Sequence, residues 1–308
     1  MPAPLFLSSG DPIADKRYDF ARDLQLRGDI AAAADLMKQA VELAPNFASA
    51  WFVLGELYQQ LNQHGLAIAA YKEARRADPL DRHGAKLRLI RLGVEDVSDM
   101  PPAYVRSLFD QYAPRFEKAL VKDLGYRGPQ ILAKAVRAAC HATGQPAFFK
   151  RAIDVGCGTG LAAREFAPNV DEFIGFDLSP GMIEQARKTG LYVRLEVTDM
   201  VQGLAREAEA SADLVIAADA VIYLPNLAPL ADGSARVLRS GGLFAFTAET
   251  HKGEGVVLGT GLRYAHGADH VRAAVSEAGL TLCSFDPASV RNENSEPVPG
   301  AVVVARKA

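Results

Sequence analysis

Cysteine is scarce in this 308-residue chain, and its three copies, Cys140, Cys157 and Cys283, show no Cys-x-x-Cys or Cys/His spacing. This argues against a disulfide framework and against a zinc site. A strong charge of one sign is also lacking, since the formal net charge of −3 gives no bias toward nucleic acid or membranes. No apolar run is long enough to span a bilayer, and the first residues do not read as a signal peptide. We therefore expect a soluble, cytoplasmic protein with no metal and no nucleic-acid or membrane partner.

Apolar residues, in contrast, make up 49% of the chain, which is ample for globular cores. The length exceeds that of one typical domain, so we expect two domains. A stretch rich in aspartate, serine and proline at 96–103 has the composition of a linker. The sequence therefore predicts a helical domain over 1–95, a helical lead-in over 104–150 and a second domain over 151–308.

The first domain contains an internal repeat with a period of 34 residues. The matched pairs are Ala33 and Ala67, Met37 and Tyr71, Ala40 and Ala74, and Pro45 and Pro79. Small residues recur where two helices of one hairpin would approach closely, and proline ends each unit because it cannot continue a helix. Together with Trp51, Leu54, Gly55 and Tyr58, the pattern resembles the tetratricopeptide repeat.

The resemblance implies two repeat units, about 14–47 and 48–81, followed by a capping helix over 82–92. Arrays of this kind usually need about three repeats to be stable. Either the second domain packs against the repeats, or the chain forms a homo-oligomer. The repeats would serve as a docking surface for a protein or peptide, or as a purely structural appendage, and the sequence leaves both interpretations open.

Strands and helices alternate from Arg151 onward, which is typical of parallel βαβ units. The predicted strands are 151–156, 172–177, 191–197, 213–218, 242–248, 280–286 and 301–306. The last two strands have only a polar, proline-containing loop between them, so we expect an antiparallel hairpin at the edge of the sheet. The fold class is therefore helical hairpins followed by a Rossmann-like seven-stranded α/β sheet whose last strand is antiparallel.

The first strand of this sheet ends in a glycine-rich turn, Gly156-x-Gly158-x-Gly160, which lets the backbone approach a ligand closely. A dinucleotide site would need a glycine where Leu161 stands. An acid inside the strand, Asp154, would disfavour a diphosphate and favour a cationic ligand. Asp177, at the end of the next strand, can accept hydrogen bonds from both hydroxyls of a ribose. The pattern therefore predicts a site for a cationic nucleoside.

These segments resemble motif I and the ribose-binding acid of the class I S-adenosylmethionine-dependent methyltransferases, and the chain as a whole resembles bacterial methyltransferases that carry tetratricopeptide repeats. The resemblance implies S-adenosylmethionine as cofactor and S-adenosylhomocysteine as product. It assigns the cofactor to Asp154, Gly156, Cys157, Gly158, Gly160, Asp177, Leu178, Met182, Thr198, Asp199, Met200 and Ala218, with Tyr112 in a lid over it. Leu178 and Met182 would flank the adenine. Asp199 would bind its amino group, cap the following helix, or do both.

Acceptor residues are predicted from the carboxyl end of the fourth strand and from a glycine-rich segment after the fifth, which we expect to be a mobile loop. Asp219 and His266 are the candidate bases. For Asp219 two alternatives stay open, which are to orient the methionine end of the cofactor or to cap a turn. Tyr223, Arg263 and Tyr264 are the candidate substrate residues. The motifs of adenine and cytosine methyltransferases are missing at this strand.

Three functions remain open at this point. The first is methyl transfer to an oxygen, nitrogen or carbon atom of a small molecule. The second is methylation of a protein that docks on the repeats. The third is a non-catalytic adaptor in which only the repeats act. Fold-level analogy does not choose between them.

Overall fold

The computed structural model describes residues 5–117, 125–293 and 295–308. The chain divides into two compact units, Met1–Gln111 and Tyr112–Ala308. Part of the predicted lead-in, residues 118–124, lies outside the described residues. The domain bounds inferred above remain predictions.

The first unit is built from helices joined by short turns. They are α1 (Pro12–Leu26), α2 (Ile30–Leu43), α3 (Ala48–Gln60), α4 (His64–Ala77), α5 (Ala85–Arg91) and α6 (Pro102–Tyr112), which ends at the boundary of the unit. Gly55 of α3 shows why this sequence forms a close hairpin, since a Cβ atom there would lie 2.6 Å from the ring of Tyr71 in α4. The two hairpins, α1–α2 and α3–α4, confirm the helical hairpins of the predicted fold class, and the short helix α5 follows them.

The second unit is a sheet with helices between its strands. Its strands are β1 (Phe149–Val155), β2 (Val170–Asp177), β3 (Tyr192–Val197), β4 (Ala212–Ala217), β5 (Leu238–His251), β6 (Val256–Leu258), β7 (Tyr264–Gly267), β8 (Leu280–Pro287), β9 (Asn292–Glu293), β10 (Glu296–Pro297) and β11 (Gly300–Lys307). Its helices are α7 (Gly128–Ala142), α8 (Leu161–Phe166), α9 (Pro180–Arg187), α10 (Met200–Arg206), α11 (Ala228–Val237) and α12 (Ala268–Glu277).

The strand order is β3-β2-β1-β4-β5-β11-β8, and β1 to β5 run parallel along it. The last strand, β11, is antiparallel to both β5 and β8. This confirms the predicted hairpin, with the difference that β11 lies inside the sheet and β8 forms its edge. Buried apolar side chains cover both faces, with Val155 on one face and Ala152 on the other. The carboxyl ends of β1, β2 and β4 therefore meet at one edge, where ligands bind in open α/β sheets.

The segment after β5 differs from the mobile loop expected there. Strand β5 continues to His251, well beyond the predicted end, and β7 pairs with this extension in parallel while β6 pairs with β7. Gly267 permits the close approach, because a Cβ atom there would lie 2.5 Å from the carbonyl oxygen of Gly253. A long strand with an unpaired edge recruits the next segment of chain, and the glycines allow that segment to fit.

Within the described residues, no helix is long and apolar enough to cross a membrane. The same residues contain no group of three or more histidine, cysteine or acidic side chains placed to hold a metal ion. The three cysteines are free thiols, with Cys140 and Cys157 buried and Cys283 exposed.

Candidate active site

The glycine turn after β1 adopts a backbone conformation that favours glycine at three positions. Gly156, Gly158 and Gly160 have φ angles of +75°, +53° and +89°. The N–H groups of Gly156 and Cys157 both donate to the carbonyl oxygen of Phe176, at 2.8 and 2.9 Å. A Cβ atom at Gly156 would lie 2.6 Å from the Cβ atom of Ala220, which follows β4. The spacing of the glycines therefore brings the ends of β1, β2 and β4 together.

Asp177, the last residue of β2, binds this turn directly. Its Oδ2 accepts a hydrogen bond from the N–H of Gly158 at 2.9 Å, and its Oδ1 accepts one from Ser179 at 2.8 Å. The side chain is half-buried, and each carboxylate oxygen can accept more than one hydrogen bond. The structure thus places the predicted ribose acid against the predicted glycine turn, with its orientation fixed by two backbone donors.

Asp154, inside β1, is fully buried beneath the same turn. Its Oδ2 accepts a hydrogen bond from the hydroxyl of Tyr192 at 2.7 Å, whereas its Oδ1 has no hydrogen-bond partner among the described residues. Burial raises the pKa of Asp154 to about 7, and the bond from Tyr192 acts in the opposite direction. A buried oxygen without a partner is costly, and the full burial of Asp154 leaves it no surface for direct contact with a ligand, so it acts on a ligand bound at the turn through its charge. Sequence reasoning missed Tyr192, because no motif includes it.

The end of β3 supplies the next part of the site. The N–H of Thr198 donates to the backbone oxygen of Asp177 at 2.9 Å. Asp199 caps α10 by accepting from the N–H groups of Val201 at 2.9 Å and Gln202 at 3.2 Å, which is one of the two roles expected for it. Met200 packs against the turn, with its Cε atom 3.9 Å from where a Cβ atom of Gly156 would be.

The remaining cofactor candidates differ in exposure. Leu178, Ala218 and Tyr112 are half-buried, as residues that line a binding crevice would be. Met182 is fully buried, so its side chain faces the interior and forms no part of an open wall. Burial raises the pKa of the Cys157 thiol well above its usual value, which disfavours a thiolate nucleophile there.

Asp219, after β4, has a left-handed backbone with φ of +58°, and its N–H donates to the hydroxyl of Thr247 at 2.8 Å. Both of its carboxylate oxygens accept from one guanidinium nitrogen of Arg291 at 2.5 Å. The side chain of Arg291 is only 3% exposed. Burial raises the pKa of Asp219, and Arg291 acts in the opposite direction. The predicted base is therefore one half of a buried ion pair.

Further ion pairs extend this contact into a network that we call the Arg291 cluster. Its members are Asp219, Glu249, Arg263, Arg291 and Glu293. Glu249 binds both arginines, with Arg263 at 2.6 Å. Two cations and three carboxylates give a formal charge of −1. Burial raises the pKa of Tyr126 well above the ordinary value, and the negative charges of Asp219 and Asp154 raise it further.

Several predicted acceptor residues lie away from any open surface. Tyr264 and His266 are both fully buried in β7. The ring of His266 stacks on that of His270 with centroids 5.5 Å apart, and burial lowers its pKa to about 4. Arg263 is engaged by Glu249 and Glu293. These predictions rested on a loop that is in fact a strand, and this placement argues against catalytic or substrate-binding roles for Tyr264 and His266.

Tyr223 remains half-buried in a short 3₁₀ turn, Val221–Tyr223, which Ala220 separates from Asp219. Besides Tyr192, sequence reasoning missed Tyr126, Glu249, Arg291 and Glu293. These residues belong to no motif, and Tyr126 and Glu249 are far in the chain from Arg291 and Glu293, so their contacts become visible only once the strands are paired.

Comparison with known proteins defines the class. Residues 153–246 match the methyltransferase domain family, and residues 18–82 match a tetratricopeptide repeat family. Human methyltransferase-like protein 27 is 32% identical over 178 residues, which cover 54% of this chain and 67% of the human protein. A ubiquinone biosynthesis O-methyltransferase from Xylella fastidiosa is 33% identical over 101 residues, 32% of this chain and 41% of that enzyme. The chain thus spans less than half of the second relative.

Solved structures agree on the fold. The N-methyltransferase NodS from Bradyrhizobium japonicum, in complex with S-adenosylhomocysteine, aligns with a TM-score of 0.50 at 17% identity and covers 66% of this chain and 98% of its own. The [4+2]-cyclase SpnF aligns with a TM-score of 0.52 at 19% identity and covers 68% and 97%. At these identities the likeness shows the fold alone.

The fold and the glycine turn define a class I nucleoside-binding α/β sheet. With its matched domain and relatives, the chain belongs to the S-adenosylmethionine-dependent methyltransferases, and its cofactor is S-adenosylmethionine. The enzyme carries tetratricopeptide repeats before its catalytic sheet.

Proposed function

We propose that this enzyme transfers a methyl group to an oxygen, nitrogen or carbon atom of a small molecule, with the cofactor held between the glycine turn and Asp177. The observation that carries this proposal is the position of Asp177, which two backbone N–H groups orient at the carboxyl end of β2. An acid fixed in this way is ready to accept the two hydroxyls of a ribose without reorganising. Preorganisation of this kind favours binding, because the ordering cost has been met during folding.

The residues around the turn fit the other parts of the cofactor. Asp154 is fully buried beneath the turn, so its charge favours a cationic amino group bound above the turn without contacting it directly. Leu178 offers an apolar surface to a base, and the backbone N–H of Met200 and the carboxylate of Asp199 offer polar partners to its edge. S-adenosylmethionine supplies an electrophilic methyl group on a sulfonium. The protein's task is then to hold donor and acceptor in line, and such positioning contributes up to about 7–11 kcal/mol in favourable cases.

The acceptor binds beside Asp219 and Tyr223 in this proposal. Both oxygens of Asp219 are already bound by Arg291, so its role is to orient the acceptor, and proton removal falls to the acceptor's own acidity or to water. Asp219 and Tyr223 are both half-buried, which suits a small acceptor. Two relatives are named for small acceptors: the ubiquinone biosynthesis O-methyltransferase and the aklanonic acid methyltransferase DauC, which is 33% identical over 112 residues.

The second candidate function is methylation of a protein that docks on the repeats. It is supported by an apolar groove of about 400 Å³ in the first unit, lined by Trp51, Leu54, Tyr58 and Leu66. The Tyr58→Ala variant separates the two. Methyl transfer to a small acceptor is expected to be unchanged in this variant, whereas transfer to a docked protein would decline with an increase in KM.

The first experiment is a thermal-shift titration of the full chain with S-adenosylmethionine, S-adenosylhomocysteine and NAD. A ligand at about a hundred times its Kd stabilises the folded state by about 2.7 kcal/mol, which gives a visible shift. We expect both sulfur nucleosides to raise Tm and NAD to leave it unchanged. No response to either sulfur nucleoside would contradict the proposal and favour a non-catalytic adaptor.

A further inference from the structure

Tyr126 stands just before α7 and is largely buried, with 7% of its surface exposed. The N–H of the next residue, Arg127, donates to the backbone oxygen of Val290 at 2.8 Å. Val290 directly precedes Arg291, so this bond joins the start of α7 to the segment that carries the central cation of the Arg291 cluster. Tyr126 is therefore held beside the cluster by a backbone contact in which its own side chain takes no part.

The side chain of Tyr126 lies among charged groups from separate strands. The charges of Asp219, Arg291 and Asp154 act on its hydroxyl, and Tyr223 also lies in reach of it. Asp154 belongs to β1 and Asp219 follows β4, and these two strands are neighbours where the strand order reverses. Ligands of open α/β sheets bind at that point. Because its pKa is raised well above the ordinary value, the hydroxyl keeps its proton at neutral pH and can donate it to a ligand.

The hydroxyl of Tyr126 forms no hydrogen bond with the residues that the structure describes. Fully enclosed polar atoms without a partner in the same residues include the hydroxyl of Tyr18, but not that of Tyr126. Its oxygen is therefore open to a ligand, in contrast to the fully buried Asp154. A polar group in so buried a position is costly unless a partner binds it.

The same hydroxyl lies over the first turn of α7. A Cβ atom at Gly128 would lie 2.4 Å from the hydroxyl oxygen of Tyr126 and 2.6 Å from the ring carbon that carries it, so glycine is needed there. No side chain of the described residues caps this helix. The first N–H groups of a helix keep their hydrogen-bonding capacity and carry partial positive charge. The hydroxyl and the start of α7 thus offer donors side by side, which suits an oxygen atom.

The charges around Tyr126 disfavour an anion at this position. Arg291 is the cation that acts on the hydroxyl, but its guanidinium already donates to all three carboxylates of the Arg291 cluster. Asp219 and Asp154 both contribute negative potential. A carboxylate or phosphate would meet like charges without a free cation, whereas an uncharged oxygen needs only a donor.

We propose that Tyr126 determines the specificity of methyl transfer by donating a hydrogen bond to an uncharged hydroxyl or carbonyl oxygen of the acceptor. This inference rests on the proposed function, since it places the acceptor beside Asp219 and Tyr223. It adds a substrate class, because the acceptor must then carry such an oxygen, and neither an apolar group nor a carboxylate can replace it.

The test uses the full chain saturated with S-adenosylhomocysteine and three probes followed by fluorine NMR: para-fluorophenol, para-fluorotoluene and para-fluorobenzoate. The probes share one ring and differ only in the group opposite the fluorine, which is a hydroxyl, a methyl or a carboxylate. We expect the phenol to bind the wild type at least about fivefold more tightly than the other two, as one net hydrogen bond would give.

Tyr126→Phe should abolish this preference for the phenol and leave the affinity for S-adenosylhomocysteine and Tm unchanged, because the hydroxyl has no partner among the described residues. Gly128→Ala keeps the hydroxyl but displaces it, and should reduce the preference in the same way. Tyr18→Phe removes the unpaired hydroxyl of a buried tyrosine in the repeat unit and is the matched control, which should retain the preference.

A preference for the phenol that persists in both Tyr126→Phe and Gly128→Ala would overturn the inference. Tighter binding of the benzoate than of the phenol would make the start of α7 an anion site and would overturn it as well. A wild type that binds S-adenosylhomocysteine but none of the probes would contradict the inference and leave the proposed function standing. Failure of the wild type to bind S-adenosylhomocysteine would instead overturn the proposed function itself.

Discussion

The two sides of the proposed active site are built in different ways. On the cofactor side, Asp177, Gly158 and Ser179 lie in two consecutive motifs, and the bonds that join them involve backbone N–H groups. On the acceptor side, Asp219 and Arg291 are 72 residues apart and are joined through their side chains. A site made of backbone groups is specified by local sequence, whereas a site made of charged side chains depends on which strands become neighbours. The first can be read from a motif and the second cannot.

The largest effect is expected on the cofactor side, from Asp177→Ala. The variant loses the carboxylate that accepts from the turn and that, in our proposal, also accepts from the ribose. Two charge-assisted hydrogen bonds correspond to about a thousandfold in affinity. Titration calorimetry with S-adenosylhomocysteine measures this loss. Asp171→Ala, at an exposed acid of the same strand, is the matched control and should bind normally, and an unchanged affinity in Asp177→Ala would mean that the cofactor lies elsewhere.

Arg291→Ala is expected to reduce stability rather than cofactor affinity. It leaves Asp219 and Glu249, whose side chains are 14% and 12% exposed, without their shared partner, which costs about 3 kcal/mol. Urea denaturation followed by circular dichroism measures the change. The exposed pair Arg239 and Asp213 offers a comparison, since Arg239→Ala should cost less than about 1 kcal/mol. Equal effects of the two substitutions would show that burial of the Arg291 cluster has no energetic consequence.

His266 should make stability depend on pH. Its folded pKa of about 4 lies below the value of about 6.5 for an unfolded histidine, so below pH 6.5 only the unfolded state gains a proton. The free energy of unfolding is unaffected by this histidine above pH 6.5 and decreases as the pH falls toward 4. The decrease amounts to about 2 kcal/mol at pH 5. His266→Phe should lose less stability than the wild type between pH 7 and pH 5. Because His83 has a similarly lowered pKa of about 4, part of the dependence should remain in His266→Phe, and a dependence as steep as that of the wild type would contradict the assignment to His266.

The smallest effect concerns Tyr192, whose hydroxyl lowers the pKa of Asp154 below what burial alone would give. Tyr192→Phe should raise that pKa, keep more of Asp154 neutral at pH 7, and weaken binding of the cationic cofactor by about three- to fivefold. The difference should shrink at pH 9, where Asp154 is ionised in both proteins. Calorimetry at the two pH values tests this, with Tyr58→Phe as a control. A deficit that persists at pH 9 would mean that Tyr192 acts by packing alone.

Most of the fold could be predicted because its signals are periodic. The 34-residue repeat predicted α1 to α4, and the alternation of apolar runs with helical segments predicted the seven main strands. The segment 253–267 could not be predicted in the same way. Its glycines suggested a loop, but they in fact allow β6 and β7 to pair against an extended β5. Tertiary pairing overrode local propensity there.

The candidate site shows the same difference between residues with a local sequence signal and residues defined by tertiary contacts. Glycines with positive φ and an acid after the next strand have a local cause, so Gly156, Gly158 and Asp177 were identifiable from sequence. Tyr192, Tyr126 and Arg291 are defined by what they contact in space, and an isolated tyrosine or arginine in a sequence gives no sign of such a contact. The prediction for His266 relied on neighbours in the chain, which β7 directs into the core.

The central claim is that the glycine turn forms the cofactor site independently of the Arg291 cluster. The most direct test is titration calorimetry of S-adenosylhomocysteine against Gly158→Val and Arg291→Ala side by side. Valine cannot readily adopt the φ angle of +53° at position 158, so we expect binding to be lost there while the repeats stay folded, and to be retained in Arg291→Ala. Retained binding in Gly158→Val, or loss of binding in a folded Arg291→Ala, would contradict the account.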